Sequence, residues 1–92
     1  MRESKIENRL KNKVNQKGGL AIKLVSPGNA GMPDRLLLFP EARVAFVELK
    51  ATSKRLRALQ FKRKQQIELL GFRVYTIDSY EAIDGLIQEI RT

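Results

Sequence analysis

The sequence predicts an α/β fold, a mixed β-sheet flanked by helices in the order α-β-β-β-α-β-α. Apolar residues recur at helical spacing near the N-terminus, past the middle and at the C-terminus. The stretches between are short, rich in branched and aromatic residues, and bounded by glycine and proline. The chain has 92 residues, enough for one core and no more. A domain of this size buries about 60–65% of its unfolded surface, so residues 1–92 are expected to form a single domain with any site close to the core's edge.

Residues 3–17 carry Ile6, Leu10 and Val14 at fourfold spacing, the stripe of an amphipathic helix, and Gly18-Gly19 ends it. Glu3 and Glu7 fall inside the same arc of roughly 100°, which directs both carboxylates toward or along the buried side. Leu20-Ala21-Ile22-Lys23-Leu24-Val25 reads as the first strand. A loop dense in turn formers, Ser26 to Pro33, then leads straight into Asp34. Arg35–Phe39 and Arg43–Val47 are two strands broken by Pro40-Glu41-Ala42, so they form a hairpin. From Ser53 through about Leu70 the chain is predicted helical, with Leu56, Leu59, Ile67 and Leu70 facing inward and Gly71 closing it. Phe72–Ile77 is the last strand. Asp78-Ser79 caps a final helix whose core face is Ala82, Ile83, Leu86, Ile87 and Ile90.

The hairpin carries the chemistry. Side chains alternate along a strand, so Val44, Phe46, Glu48 and Lys50 share one side, and Asp34, Leu36 and Leu38 share another. If the turn is centred on Glu41, paired positions sum to 82, and Asp34 lies opposite Glu48 on a common face. Directly opposed side chains have Cβ atoms about 4.5–5.5 Å apart, a distance two carboxylates tolerate when a divalent cation lies between them. Slippage by one residue would separate them. Taken singly, Asp34 after Pro33 is an ordinary turn residue, and Glu48 and Lys50 an ordinary strand edge. The joint pattern, Pro-Asp, then a hairpin, then Glu-x-Lys, is hard to obtain from surface composition.

Composition narrows the chemistry further. With no cysteine and no histidine, thiol chemistry, disulfides, zinc-finger ligation and histidine bases are excluded. A metal must be held by oxygen, which points to magnesium or manganese. No apolar run is long enough to span a membrane and no leader pattern opens the chain, so a cytoplasmic location is expected. The net charge is +8, and seven of the basic residues, Lys50, Lys54, Arg55, Arg57, Lys62, Arg63 and Lys64, fall between Leu49 and Ile67 with no acid among them. One strongly basic side suits a polyanion, and phosphate backbone is the commonest. A merely solvated basic helix would carry the same residues.

These motifs resemble the PD-(D/E)xK nuclease superfamily and, within it, the virus-type replication-repair nuclease (VRR-NUC) domain. The matching pieces are Glu3 and Glu7, Ser26-Pro27-Gly28, Gly31-Met32-Pro33-Asp34, Phe46-Val47-Glu48-Leu49-Lys50, Gln60, and Leu70-Gly71-Phe72-Arg73-Val74-Tyr75. The likeness covers nearly the whole chain and is closest to the stand-alone, phage-type members. It implies a restriction-endonuclease-like fold and hydrolysis of DNA phosphodiesters. It also implies a homodimer acting on four-way (Holliday) junctions, in the host cytoplasm if the chain is phage-encoded. Members fused to larger repair enzymes act on flap-like DNA instead, so a flap or nicking nuclease is the alternative within the family.

On this resemblance Asp34, Glu48 and the Leu49 carbonyl hold one or two magnesium or manganese ions. A helix glutamate helps directly or through water. The family has one such glutamate and this chain offers two; the spacing to Gly18 favours Glu7, with Glu3 as the alternative. Lys50 is expected to stabilise the phosphate or position water rather than act as a base, because two neighbouring carboxylates favour its ammonium form. Gln60 would orient Lys50 or the water. Ser26, Lys54, Arg55, Arg57, Lys62, Arg63 and Lys64 would contact DNA, with binding that weakens as salt rises. The rival from another class is a non-catalytic basic nucleic-acid-binding module, which divalent-metal titration separates from a nuclease.

Overall fold

The computed structural model describes residues 2–51 and 55–91. Its order is α1 (Glu3–Gln16), β1 (Leu20–Lys23), β2 (Arg35–Phe39), β3 (Arg43–Leu49), α2 (Ala58–Leu69), β4 (Arg73–Ile77) and α3 (Tyr80–Arg91), as the sequence predicts. The four strands form one sheet in the order β1-β2-β3-β4, antiparallel except for the parallel β3–β4 pair. A parallel neighbour demands a crossover, and α2 is that crossover.

One face of the sheet holds the core. Ile6, Leu10 and Val14 of α1 and Ile83, Leu86, Ile87 and Ile90 of α3 bury against Leu37, Phe39, Ala45, Val47, Leu49 and Ile77. These strand residues are the alternate positions 37/39, 45/47/49 and 77, as a period of two requires. α3 starts where expected, with the Ser79 hydroxyl accepting the Ala82 N–H at 3.1 Å. Its far end is closed by Arg43 and Arg73, which donate to the Ile90 and Glu89 carbonyls at 3.0 Å each.

The other face carries α2, and here the prediction needs correcting. The helix does not run from Ser53: residues 55–57 are non-helical, Arg57 is extended (φ −72°, ψ 158°), and α2 begins at Ala58. The Gln60 side chain stops the helix there by accepting the Arg57 backbone N–H at 2.9 Å. Freed from the helix, Leu56 lines a cleft with Gly31, Gln60 and Thr76. The expected inner face is also reduced to Ile67; Leu59 and Leu70 are exposed, because one short helix over β3 and β4 cannot cover a four-stranded sheet. The first strand ends at Lys23, two residues early. Among the described residues no helix is long and apolar enough to cross a membrane.

Candidate active site

The hairpin turn sets the site. Glu41 and Ala42 both take positive φ (68° and 59°), an unfavourable backbone for residues with a Cβ that reverses the chain within three residues. The resulting pairs run from Phe39↔Arg43 to Arg35↔Val47, each summing to 82. One step beyond the last pair, Asp34 faces Glu48. The backbone carries Asp34 there: its carbonyl accepts the Leu24 N–H at 2.8 Å, and its Oδ2 accepts the Leu49 N–H at 2.9 Å. Pro33 before it is buried. Gly31 is required by contact as well as conformation, since at φ 83° a Cβ would lie 2.8 Å from the Leu59 carbonyl oxygen.

Glu48 is the most perturbed group. Burial, then the charge and contact of the Asp34 carboxylate, push it up to about 7, against the opposing pull of Lys50; Glu3 adds a smaller push in the same direction. Lys50 Nζ lies 3.7 Å from Glu48 Oε2, and Gln60 Nε2 donates to the same oxygen at 3.0 Å. Gln60 therefore has both ends engaged, one on Glu48 and one on the start of α2. Thr76 pairs with Glu48 across the β3–β4 ladder, and among the described residues its buried hydroxyl has no hydrogen-bond partner.

Asp34, Glu48, Lys50 and Gln60 are thus brought together. The two helix glutamates differ: Glu7 is held by Arg35 at 2.9 Å, whereas Glu3 is exposed in the first turn of α1 and adds only the weakest push on Glu48. Among the described residues no group of three or more acidic side chains is close enough to hold a metal, so a cation here would need backbone carbonyl and water oxygens beside the Asp34–Glu48 pair. Of the basic residues, Arg55, Arg57 and Lys62 are exposed, and Lys64 is half-buried in the cleft beside Glu48. Arg63 is occupied by the Ala30 carbonyl (3.2 Å) and Gln66 (3.1 Å), which ties the Ser26–Pro33 loop to α2. Ser26 is half-buried within that loop, and Lys54 lies outside the described residues. Two polar residues escaped the sequence reading, Thr76 and Arg35. Arg35 had a signal, a charge at an inward strand position directly after Asp34.

No family model matches the chain. A protein of Acyrthosiphon pisum secondary endosymbiont phage 1, named "Putative nuclease p44", is 38% identical over 81 residues, covering 88% of this chain and 87% of that protein. A solved structure described as a VRR_NUC domain superposes with a TM-score of 0.88 at 28% identity, over 94% of each chain. The chain belongs to the VRR-NUC nuclease family. The VRR-NUC architecture accounts for the mixed sheet and element order seen here, and a nuclease of this family acts on nucleic acid through a fold suited to divalent metal.

Proposed function

We propose that the chain is a magnesium- or manganese-dependent, structure-specific DNA endonuclease that cuts branched DNA, four-way junctions foremost, as a homodimer. The observation that carries this reading is the opposed Asp34–Glu48 pair with the Lys50 ammonium 3.7 Å from Glu48. Two carboxylates in contact, one of them pushed up to about 7, are in deficit of positive charge, and an all-oxygen donor set suits a hard cation. When bound, such a cation supplies charge neutralisation for the phosphate and an attacking water acidic enough to react near neutral pH. Asp34, Glu48 and the Leu49 carbonyl would hold it. Glu3 is the helix carboxylate we assign to the site, because Glu7 is spent on Arg35 while Glu3, one turn earlier, is exposed.

The remaining roles follow from contacts. Lys50 offsets charge building on the phosphate oxygens, and Gln60 keeps Glu48 aimed by holding its Oε2. The N-termini of α2 and α3 lie toward this end: Gln60 touches Glu48, and Ser79 follows Ile77, whose carbonyl accepts the Lys50 N–H at 2.9 Å. Their dipoles add positive potential to that of Arg55, Arg57 and Lys62. A phosphate chain crossing the site would meet charge on both sides.

A second copy is supported by what α2 leaves bare. Leu20 and Ile22 share a face with Leu36, Leu38 and Phe46 by register, and Phe72 stacks edge-on to Phe46 at 5.8 Å. Next to them Leu69 and Leu70 are 87% and 76% exposed. A contiguous apolar surface of this kind is where a second copy would pack. Two active sites related by a twofold axis would match the two symmetric cuts a junction needs.

Labelled four-way, flap, duplex and single-stranded DNA incubated with magnesium, manganese or chelator tests the reading. Metal-dependent cleavage highest on the four-way substrate is expected. Preferred cutting of flaps by a protein that sediments as a monomer would replace the junction reading with a flap or nicking one. Salt-sensitive binding with no cleavage in any metal would leave only the binding module.

A further inference from the structure

Arg35 is 5% exposed and sits on the core face of β2, in line with Leu37 and Phe39. Glu7 pairs with it at 2.9 Å, and among the described residues its buried Nε has no hydrogen-bond partner. As a stabilising device this is poor. The Arg35 side chain is 6% exposed and that of Glu7 35%, so the cost of desolvating the guanidinium offsets much of the attraction to a partly solvated carboxylate, and an apolar residue of similar volume would serve the core as well or better.

The position of the pair points to a different use. Arg35 directly follows Asp34, and Glu7 lies one helical turn after Glu3, so the ion pair joins strand to helix one residue from Asp34 and one turn from Glu3. The first turn of α1 has little else to hold it. Arg2 at its N-cap makes no side-chain capping bond, Glu3, Ser4 and Lys5 are exposed, and the first buried anchor is Ile6. A helix end without a cap frays.

We infer that Glu7 and Arg35 are a positioning pair that pins the first turn of α1 to β2, so that the Glu3 carboxylate is presented to Asp34 and Glu48. Glu7 is then a positioning residue rather than a ligand. Arg35 is too enclosed to reach DNA, and its charge is used inside the fold. This rests on the cation site proposed above, and the experiment separates the two.

Isothermal titration of Mn²⁺ into the full chain is the probe, on the wild type, Asp34→Asn, Glu3→Gln, Glu7→Gln and the Glu3→Gln/Glu7→Gln double variant. Glu3→Gln and Glu7→Gln should each weaken Mn²⁺ binding about tenfold, the scale seen when a residue supporting a ligand is lost. The double variant should be no worse than either single one, because both changes remove the same interaction. In the metal-free Glu7→Gln protein the Glu3 Cα chemical shift should also move toward its coil value. Unchanged Mn²⁺ affinity in Glu7→Gln would make the pair purely structural, and additive losses in the double variant would make Glu7 a ligand in its own right; either overturns the inference. If Glu7→Gln does not fold, Arg35→Lys, which keeps the charge on a shorter reach, takes its place in the same cycle. Asp34→Asn binding Mn²⁺ as tightly as wild type would instead remove the cation site, and the inference with it.

Discussion

The two faces of the sheet are built to opposite rules. Toward α1 and α3 the strands present an almost wholly apolar surface, met by two helices that each turn a full apolar stripe inward. Toward α2 the same strands present Glu48 and Thr76 among apolar residues, and a single helix with one buried residue, Ile67, covers only part of them. A small domain has too little surface to make both faces dry. The closed face therefore supplies the stability that lets two carboxylates stand in contact on the open one.

The largest effect expected from breaking this division is on chemistry. Lys50→Ala removes the ammonium 3.7 Å from Glu48, and cleavage should fall about 10²–10³-fold, the scale of losing one electrostatic stabiliser, while salt-sensitive DNA binding persists. Asp34→Asn should go further, to background. Gel-based cleavage and filter binding on the same preparations check both, and retained turnover in either variant would move the active site elsewhere.

Next comes stability, where the faces should part by several kcal/mol. Leu86→Ala opens a cavity in the closed core and should cost about 2–5 kcal/mol. Leu69→Ala, at 87% exposure, should change monomer stability by less than about 0.5 kcal/mol. Urea unfolding at low protein concentration measures both. Equal losses would mean that the open face is as load-carrying as the closed one.

Much of this was legible from the residues. The hairpin register followed from where Pro40-Glu41-Ala42 falls, because an odd-length turn fixes which strand residues oppose each other. α1 and α3 followed from stripes with one clear period. The start of α2 did not, because Ser53 offers a cap while the observed stop is made by Gln60, three residues inside the helix. The difference in surroundings between Glu3 and Glu7 was also hidden. Both lie on the arc of α1, and only the tertiary position of Arg35, a charge that local patterning does not send inward, separates them. Leu59 and Leu70 looked like core for a similar reason: a helical stripe shows which side is apolar and says nothing about how much of it the sheet can cover.

The last effect expected is the one that ties the faces together. Glu48 is pushed from 4.5 to about 7 in the metal-free protein, so its proton favours the folded state. Below about pH 4.5 the group is protonated whether the chain is folded or not, and it contributes no slope. Between about 4.5 and 7 the folded protein keeps a proton that the unfolded chain has lost, so this group's share of stability falls as pH rises, by roughly 3 kcal/mol in all. Above that window the cost is constant. Unfolding by urea in chelator across this range should show the decline, Glu48→Gln should flatten it, and Mn²⁺ added at pH 7.5 should recover most of what the wild type lost. A decline that survives Glu48→Gln would place the strain in another group and leave the open face without its defining charge.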